Sequence, residues 1–125
     1  MLVEHLHTTF YLRFCRAFYI FLFMKVYIAG KITGTKDYKK RFADRAYQLK
    51  KMGYDPVNPV PIIEYHQNLE NRLLSHDECM KILLPYLEDC EGINMLKGWE
   101  DSPGAREEYV FATTHNKIQV DIFGA

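Results

Sequence analysis

Apolar residues along this chain alternate between short continuous runs and longer stretches in which they return at helical spacing. Val26, Tyr27, Ile28 and Ala29 form the first run, which stops at Gly30-Lys31-Ile32-Thr33-Gly34-Thr35; a strand followed by a tight loop is predicted. Asp37 then serves as the cap of a helix. Phe42, Ala46, Leu49 and Met52 share its inner face, Lys39, Lys40, Arg41, Lys50 and Lys51 take solvent positions, and Gly53 ends it. Tyr54 to Val57 reads as a second strand. Asn58-Pro59 with Pro61 predicts an extended connection that cannot continue as helix and overhangs a cleft.

Ser75-His76-Asp77-Glu78 matches the capping-box pattern, and Cys79, Ile82, Leu83, Tyr86 and Leu87 supply the buried stripe of the helix behind it. Pro85 is expected to kink or split that helix. Gly92 to Leu96 reads as a third strand, and Lys97 to Gly104 as a loop entering the next helix, with Pro103 at its first position. This helix passes through Glu108, Tyr109 and Ala112 to about His115, Asn116 terminates it, and Ile118 to Ile122 form a final strand.

The implied fold is α/β: a Rossmann-like, flavodoxin-like parallel sheet of about four to five strands flanked by helices and built from right-handed βαβ units. Ligands of such sheets bind beyond the carboxyl ends of the strands, where strand order reverses. The loops at 30–35, 58–65 and 97–104 should therefore line one crevice.

Residues 1–23 do not share the pattern. Phe10, Tyr11, Phe14, Phe18, Tyr19, Phe21 and Phe23 make the stretch strongly aromatic, while Arg13 and Arg16 interrupt it. Its longest apolar run, Ala17 to Met24, falls far short of the roughly twenty residues of a membrane span. It also lacks the basic start and small-residue cleavage site of a signal peptide, which argues against secretion. The expectation is an N-terminal aromatic extension outside the core fold, with residues 24–125 as the domain. The rival is an amphipathic helix carrying Phe10, Phe14, Phe18 and Phe21 on one face.

A chain of 125 residues with 48% apolar residues supports one compact domain and no second one. Sixteen Lys plus Arg balance sixteen Asp plus Glu, so no basic surplus points to a nucleic-acid polymer. Cys15, Cys79 and Cys90 form no CxxC pair and leave an odd thiol, which suits a reducing cytoplasm better than a disulfide framework. The histidines are scattered, only His5 and His7 lying close together, and no metal site is expected.

Two stretches could carry chemistry. Gly30 to Gly34 allows close backbone approach and presents N–H groups near a helix start, an anion cradle. It has neither GxGxxG nor GxxxxGK spacing, so no NAD or ATP site is read and no cofactor is expected. Ser102-Pro103-Gly104-Ala105-Arg106-Glu107-Glu108 couples a helix N-terminus to a carboxylate one turn on, with Gly104 and Glu108 on the same face. Its bland alternative is a capped, solvated surface helix. Trp99, the only tryptophan, is placed either at the cleft mouth, where it would stack on a flat ring, or as a core anchor of the third strand.

Together these residues resemble the nucleoside 2-deoxyribosyltransferase superfamily and the related deoxynucleoside-monophosphate N-glycosidases. The resemblance rests on Tyr27-Ile28-Ala29-Gly30-Lys31-Ile32-Thr33-Gly34, on Val57-Asn58-Pro59, and on Gly98 to Glu108 with its Ser-x-Gly-x-x-x-Glu motif at Ser102, Gly104 and Glu108. It is most pronounced toward a bacterial and phage branch and extends from Met24 to Phe123. It implies that Glu108 attacks the anomeric carbon of a deoxyribosyl group, that Tyr27 holds and polarises Glu108, and that Ser102, Gly104 and the 30–34 loop bind the 5′ end of a small nucleoside or nucleotide. It also implies a homo-oligomer. The acid that such enzymes carry on the helix before the third strand falls here on Leu83, and the first-loop arginine of the monophosphate glycosidases falls on Thr33, with Lys31 nearby. Asp101 and Asp77 are the candidate replacements for the acid. A non-catalytic nucleotide-binding module of the same fold is the competing expectation.

Overall fold

The computed structural model describes residues 24–122. Strands β1 (Lys25–Ala29), β2 (Asp55–Val57), β3 (Gly92–Met95) and β4 (Ile118–Gln119) alternate with helices α1 (Tyr38–Lys51), α2 (Pro59–Glu70), α3 (His76–Glu88) and α4 (Pro103–Thr114), and a short 3-10 turn spans Trp99–Asp101. All strand pairs are parallel, in the order β2-β1-β3-β4. This is the expected Rossmann-like α/β architecture. The chain leaves β1 for one edge and builds the other edge from β3, so the switch point lies between the carboxyl ends of β1 and β3.

After Lys25, β1 is apolar and buried from Val26 to Ala29 because both of its faces are covered. Val26 and Ile28 point into a cluster with Phe42 and Leu49 of α1, together with Val60 and Leu96. Tyr27 and Ala29 point the other way, into a cluster with Leu83 and Leu87 of α3, Ile93 of β3 and Ala112 of α4. Strand alternation thus places Tyr27 beneath α3 and α4, the position that matters for the site.

The extended connection expected at 58–65 is instead the start of α2. Asn58, in extended backbone, accepts a hydrogen bond from the Val60 N–H at 3.0 Å, and Pro59 follows at the head of the helix. The first-turn N–H groups of a helix have no intrahelical partner, so prolines at 59 and 61 cost it nothing there. Asn71, in the left-handed region (φ 52°), closes the helix.

Pro85 does not split α3, which runs unbroken from His76 to Glu88. Pro85 lies exposed in the last turn, so the carbonyl it leaves without a partner, that of Lys81, is on an exposed residue. The capping box of Ser75 and Glu78 at the other end is complete. Asp37 makes no side-chain cap; its backbone (φ −104°, ψ 25°) is not the extended form that aims a capping carboxylate at the first turn. β4 is shorter than the Ile118–Ile122 expected: its pairing stops at Gln119 opposite Ile93, although β3 runs on to Met95 and the Val120 N–H still reaches the Ile93 carbonyl at 2.8 Å. Gly53 (φ 93°) and Asn116 (φ 57°) end their helices in the left-handed conformation as expected. The reading of residues 1–23, with His5, His7 and Cys15, lies outside the described residues. Among those described, no helix is long and apolar enough to cross a membrane.

Candidate functional site

A cleft of about 640 Å³ opens at the carboxyl end of the sheet, walled by the loop after β1, by α2, by α3 and by the N-terminal half of α4. Glu108 lines it from the second turn of α4 and is only 6% exposed. Tyr27, fully buried in β1, donates its hydroxyl to Glu108 Oε2 from below. Helix α4 therefore offers one face to the core through Ala105 and Ala112, and the carboxylate between them is pinned at the cleft wall.

Burial pushes the Glu108 carboxyl up to about 8; the Tyr27 hydrogen bond works against that shift, and the neighbouring charge of Glu107 adds to it. Tyr27 holds its own proton far above the ordinary phenol range, first through burial and then through the charge of Glu108, so its hydroxyl stays protonated and donates to the carboxylate. A proton-holding carboxyl in a cleft, bound by one fixed donor, is the type of group that chemistry near neutral pH uses.

Ser102 caps α4: its Oγ accepts from the Ala105 N–H at 3.2 Å, and Pro103 follows at the head of the helix. Ser102, Gly104 and Asp101 all line the cleft. A Cβ on Gly104 would meet the His76 ring at 3.4 Å, an ordinary van der Waals contact, so α3 and α4 pack closely beside Gly104 without requiring a glycine there. His76 also lines the cleft, with its Nε2 3.1 Å from Glu107 Oε2.

The loop after β1 contributes Gly30, Lys31, Ile32 and Thr33 to the wall. Gly30 has a packing reason as well, since a Cβ there would fall 2.9 Å from the Leu96 side chain. Gly34 does not line the cleft; its glycine serves the turn, where φ is +77°.

Three further expected positions stand elsewhere. Trp99 is not at the cleft mouth but packs on the Tyr109 ring, with centroids 4.7 Å apart, because the 3-10 turn carries it onto α4. Asn58 is spent as the cap of α2 and does not line the cleft. Asp77 lies exposed in the first turn of α3, away from the cleft wall, where its charge suits the helix N-terminus. Leu83, by contrast, faces the cleft directly and is 6% exposed.

Sequence reasoning missed Glu64 and Gln67, which line the cleft from α2. The signal was present in Val60, Ile63, Glu64 and Gln67, which recur at helical spacing once Asn58-Pro59 is read as a cap and first position. Among the described residues no group of three His, Cys, Asp or Glu side chains is placed to hold a metal ion.

A comparison with curated proteins gives no match. Among solved structures, one titled "Solution Structure of BlsM" superposes with a TM-score of 0.55 at 16% sequence identity, over 77% of this chain and 62% of that one. The present chain thus spans less than two thirds of that protein, and the likeness is one of fold. The model of a protein family described as "Domain of unknown function (DUF4406)" matches residues 24–121, nearly all of the described chain, and the chain belongs to that family.

Proposed function

We propose that this domain binds a nucleoside or nucleotide in the cleft and cleaves its N-glycosidic bond, by hydrolysis or by deoxyribosyl transfer, with Glu108 as the nucleophile. The observation that carries the reading is the Tyr27–Glu108 pair: a buried carboxyl aimed into the cleft and held by a single phenol. A Glu108 oxygen would bond to C1′ as the C1′–N bond breaks, the electron pair leaving with the base nitrogen, which takes up a proton. Water, losing a proton, or a second base would then open the glycosyl ester. Ser102, Gly104 and the 30–33 stretch line the cleft and would take the 5′ end, and Asp101, beside Ser102 on the same wall, is the candidate acid for the departing base. The superfamily resemblance, a homo-oligomeric assembly and a cytoplasmic setting go with this reading.

The test is base release by the pure full-length chain from a panel of nucleosides and nucleoside monophosphates. Release that disappears in Glu108→Ala supports the reading, and no release from any member of the panel contradicts it.

One observation favours a second reading, a nucleotide-binding module without turnover: the cleft wall presents Leu83 where the resemblance implies an acid. Tight binding in calorimetry without base release, together with release gained in Leu83→Asp, would select it.

A further inference from the structure

We propose that the N-glycoside opened in this cleft carries a positive charge on its ring, so that the base departs neutral and needs no proton; this rests on the nucleophile reading above and narrows its leaving group. The first observation is what faces Glu108. Helices α3 and α4 lie side by side and run the same way: His76 Nε2 is 3.1 Å from Glu107 Oε2 toward their starts, and Glu88 Oε2 is 3.9 Å from His115 Nε2 at their ends. A Cβ on Gly104 would lie 3.9 Å from Met80 Sδ, and one turn further along each helix stand Leu83 and Glu108. Leu83 also shares a core cluster with Tyr27, the residue that holds Glu108. The α3 wall at the level of the carboxyl is therefore apolar.

The ionisable groups of the cleft are engaged or stand apart from this level. The Lys39 ammonium holds the Glu64 carboxylate at 2.6 Å, His76 meets Glu107, and Asp101, the candidate acid, lies exposed in the 3-10 turn that precedes α4. Of the neighbouring charges, only that of Glu107 bears on Glu108. An ordinary neutral base would have to draw its proton from Asp101 at a distance or from water.

The second observation is that Glu108 has no cation beside it. It is buried, its Oε2 accepts from Tyr27, and no lysine or arginine offsets its loss of solvent. A cationic ring laid against the apolar wall brings that charge with the substrate, and an opposite charge nearby favours the ionised, nucleophilic carboxylate. In the step itself a Glu108 oxygen bonds to C1′ as the C1′–N bond breaks, and the electron pair of that bond neutralises the ring nitrogen. Cation and carboxylate become neutral base and neutral ester with no proton moved. Water then opens the ester, losing one proton and restoring the carboxylate. Pyridinium nucleotides and 7-alkylated purine nucleotides share this chemistry.

The experiment measures base release by the full-length chain from three 2′-deoxynucleoside 5′-monophosphates, with spontaneous release subtracted. Their bases are guanine, 7-methylguanine, which differs by one methyl group and a cationic ring, and nicotinamide, a cationic pyridine. A site with a working acid levels the two guanines, because it supplies the charge that the methyl group otherwise installs. Here kcat/KM for a cationic nucleotide should exceed that for guanine by about a hundredfold or more, the usual contribution of a general acid. Leu83→Asp should narrow the gap by speeding guanine release. A gap with only one of the two cationic nucleotides supports the proposal and fixes the ring size. A smaller gap with both, or a gap unchanged in folded Leu83→Asp, overturns the leaving-group assignment and leaves the Glu108 reading standing. No release above the spontaneous rate from any of the three, by a chain with an intact circular-dichroism spectrum, overturns the Glu108 reading and this assignment with it.

Discussion

Tyr27 and Glu108 lie 81 residues apart in sequence and meet in a hydrogen bond beneath the cleft. The phenol comes from the central strand and the carboxylate from the last helix, so the pair reports on the correct docking of α4 over β1. Its environment opposes the charged carboxylate, and that opposition has measurable consequences.

The first concerns stability and pH. Between the ordinary carboxyl value of 4.5 and about 8, the folded chain keeps a proton on Glu108 that the unfolded chain has released. Stability contributed by this group is thus fully present below 4.5 and is lost as pH rises to 8, by an amount on the order of 4 kcal/mol. Denaturant unfolding at pH 5 and pH 8.5 should show Glu108→Gln gaining on the parent protein at the higher pH. A gap between the two proteins that does not change with pH contradicts the assignment.

Tyr27→Phe removes the one interaction that favours the ionised form of Glu108. The carboxyl should then titrate above 8, and the chain should lose about 1–3 kcal/mol through the unsatisfied buried acceptor. Carbon-13 NMR of the Glu108 carboxyl reads the titration directly. An unchanged midpoint would mean that the phenol does not hold the carboxylate.

If Glu108 is the nucleophile, base release follows its ionised fraction. The kcat/KM of the parent protein should climb with pH up to about 8 and level off above it, since that ratio reports the free enzyme. In Tyr27→Phe the climb should move to higher pH. A profile flat from pH 5 to 9 would speak against an ionised Glu108 in the reacting form.

Gly30→Ala tests the packing at the end of β1. Its methyl group would fall 2.9 Å from Leu96 Cβ, and such overpacking costs about 1–3 kcal/mol. Leu96→Ala removes only the Cγ and Cδ1 part of the clash and leaves a cavity of its own, so the double variant should lose less than the sum of the two single losses. Thermal melting of the single and double variants measures both.

Much of this structure is legible where sequence signals are local and agree with one another. The apolar run of β1, the complete Ser75–Glu78 capping box and the Ser102-Pro103 start of α4 each declare their element within a few residues. Glu108 shares a helix face with Gly104, but what set it apart from a solvated surface helix was the resemblance carried by the Ser-x-Gly-x-x-x-Glu motif. Helix α2 was not legible in the same way, because Pro59 and Pro61 weigh as helix breakers unless Asn58 is recognised as the cap that makes their positions harmless. Losing that helix also hid Glu64 and Gln67, whose place in the cleft depends on it. Trp99, left open between the cleft mouth and a core anchor of the third strand, was not legible for a different reason. Its packing on Tyr109 depends on a 3-10 turn that follows Gly98 in the left-handed conformation, a geometry that hydrophobic periodicity does not report.

The most direct test of the central claim is the intact mass of the full-length chain, quenched in acid during turnover of a nucleotide that releases its base. The account predicts a fraction of the protein heavier by one deoxyribosyl unit, with the added mass on the peptide that contains Glu108 and absent in Glu108→Gln. Base release with no adduct, or an adduct on another residue, would contradict it.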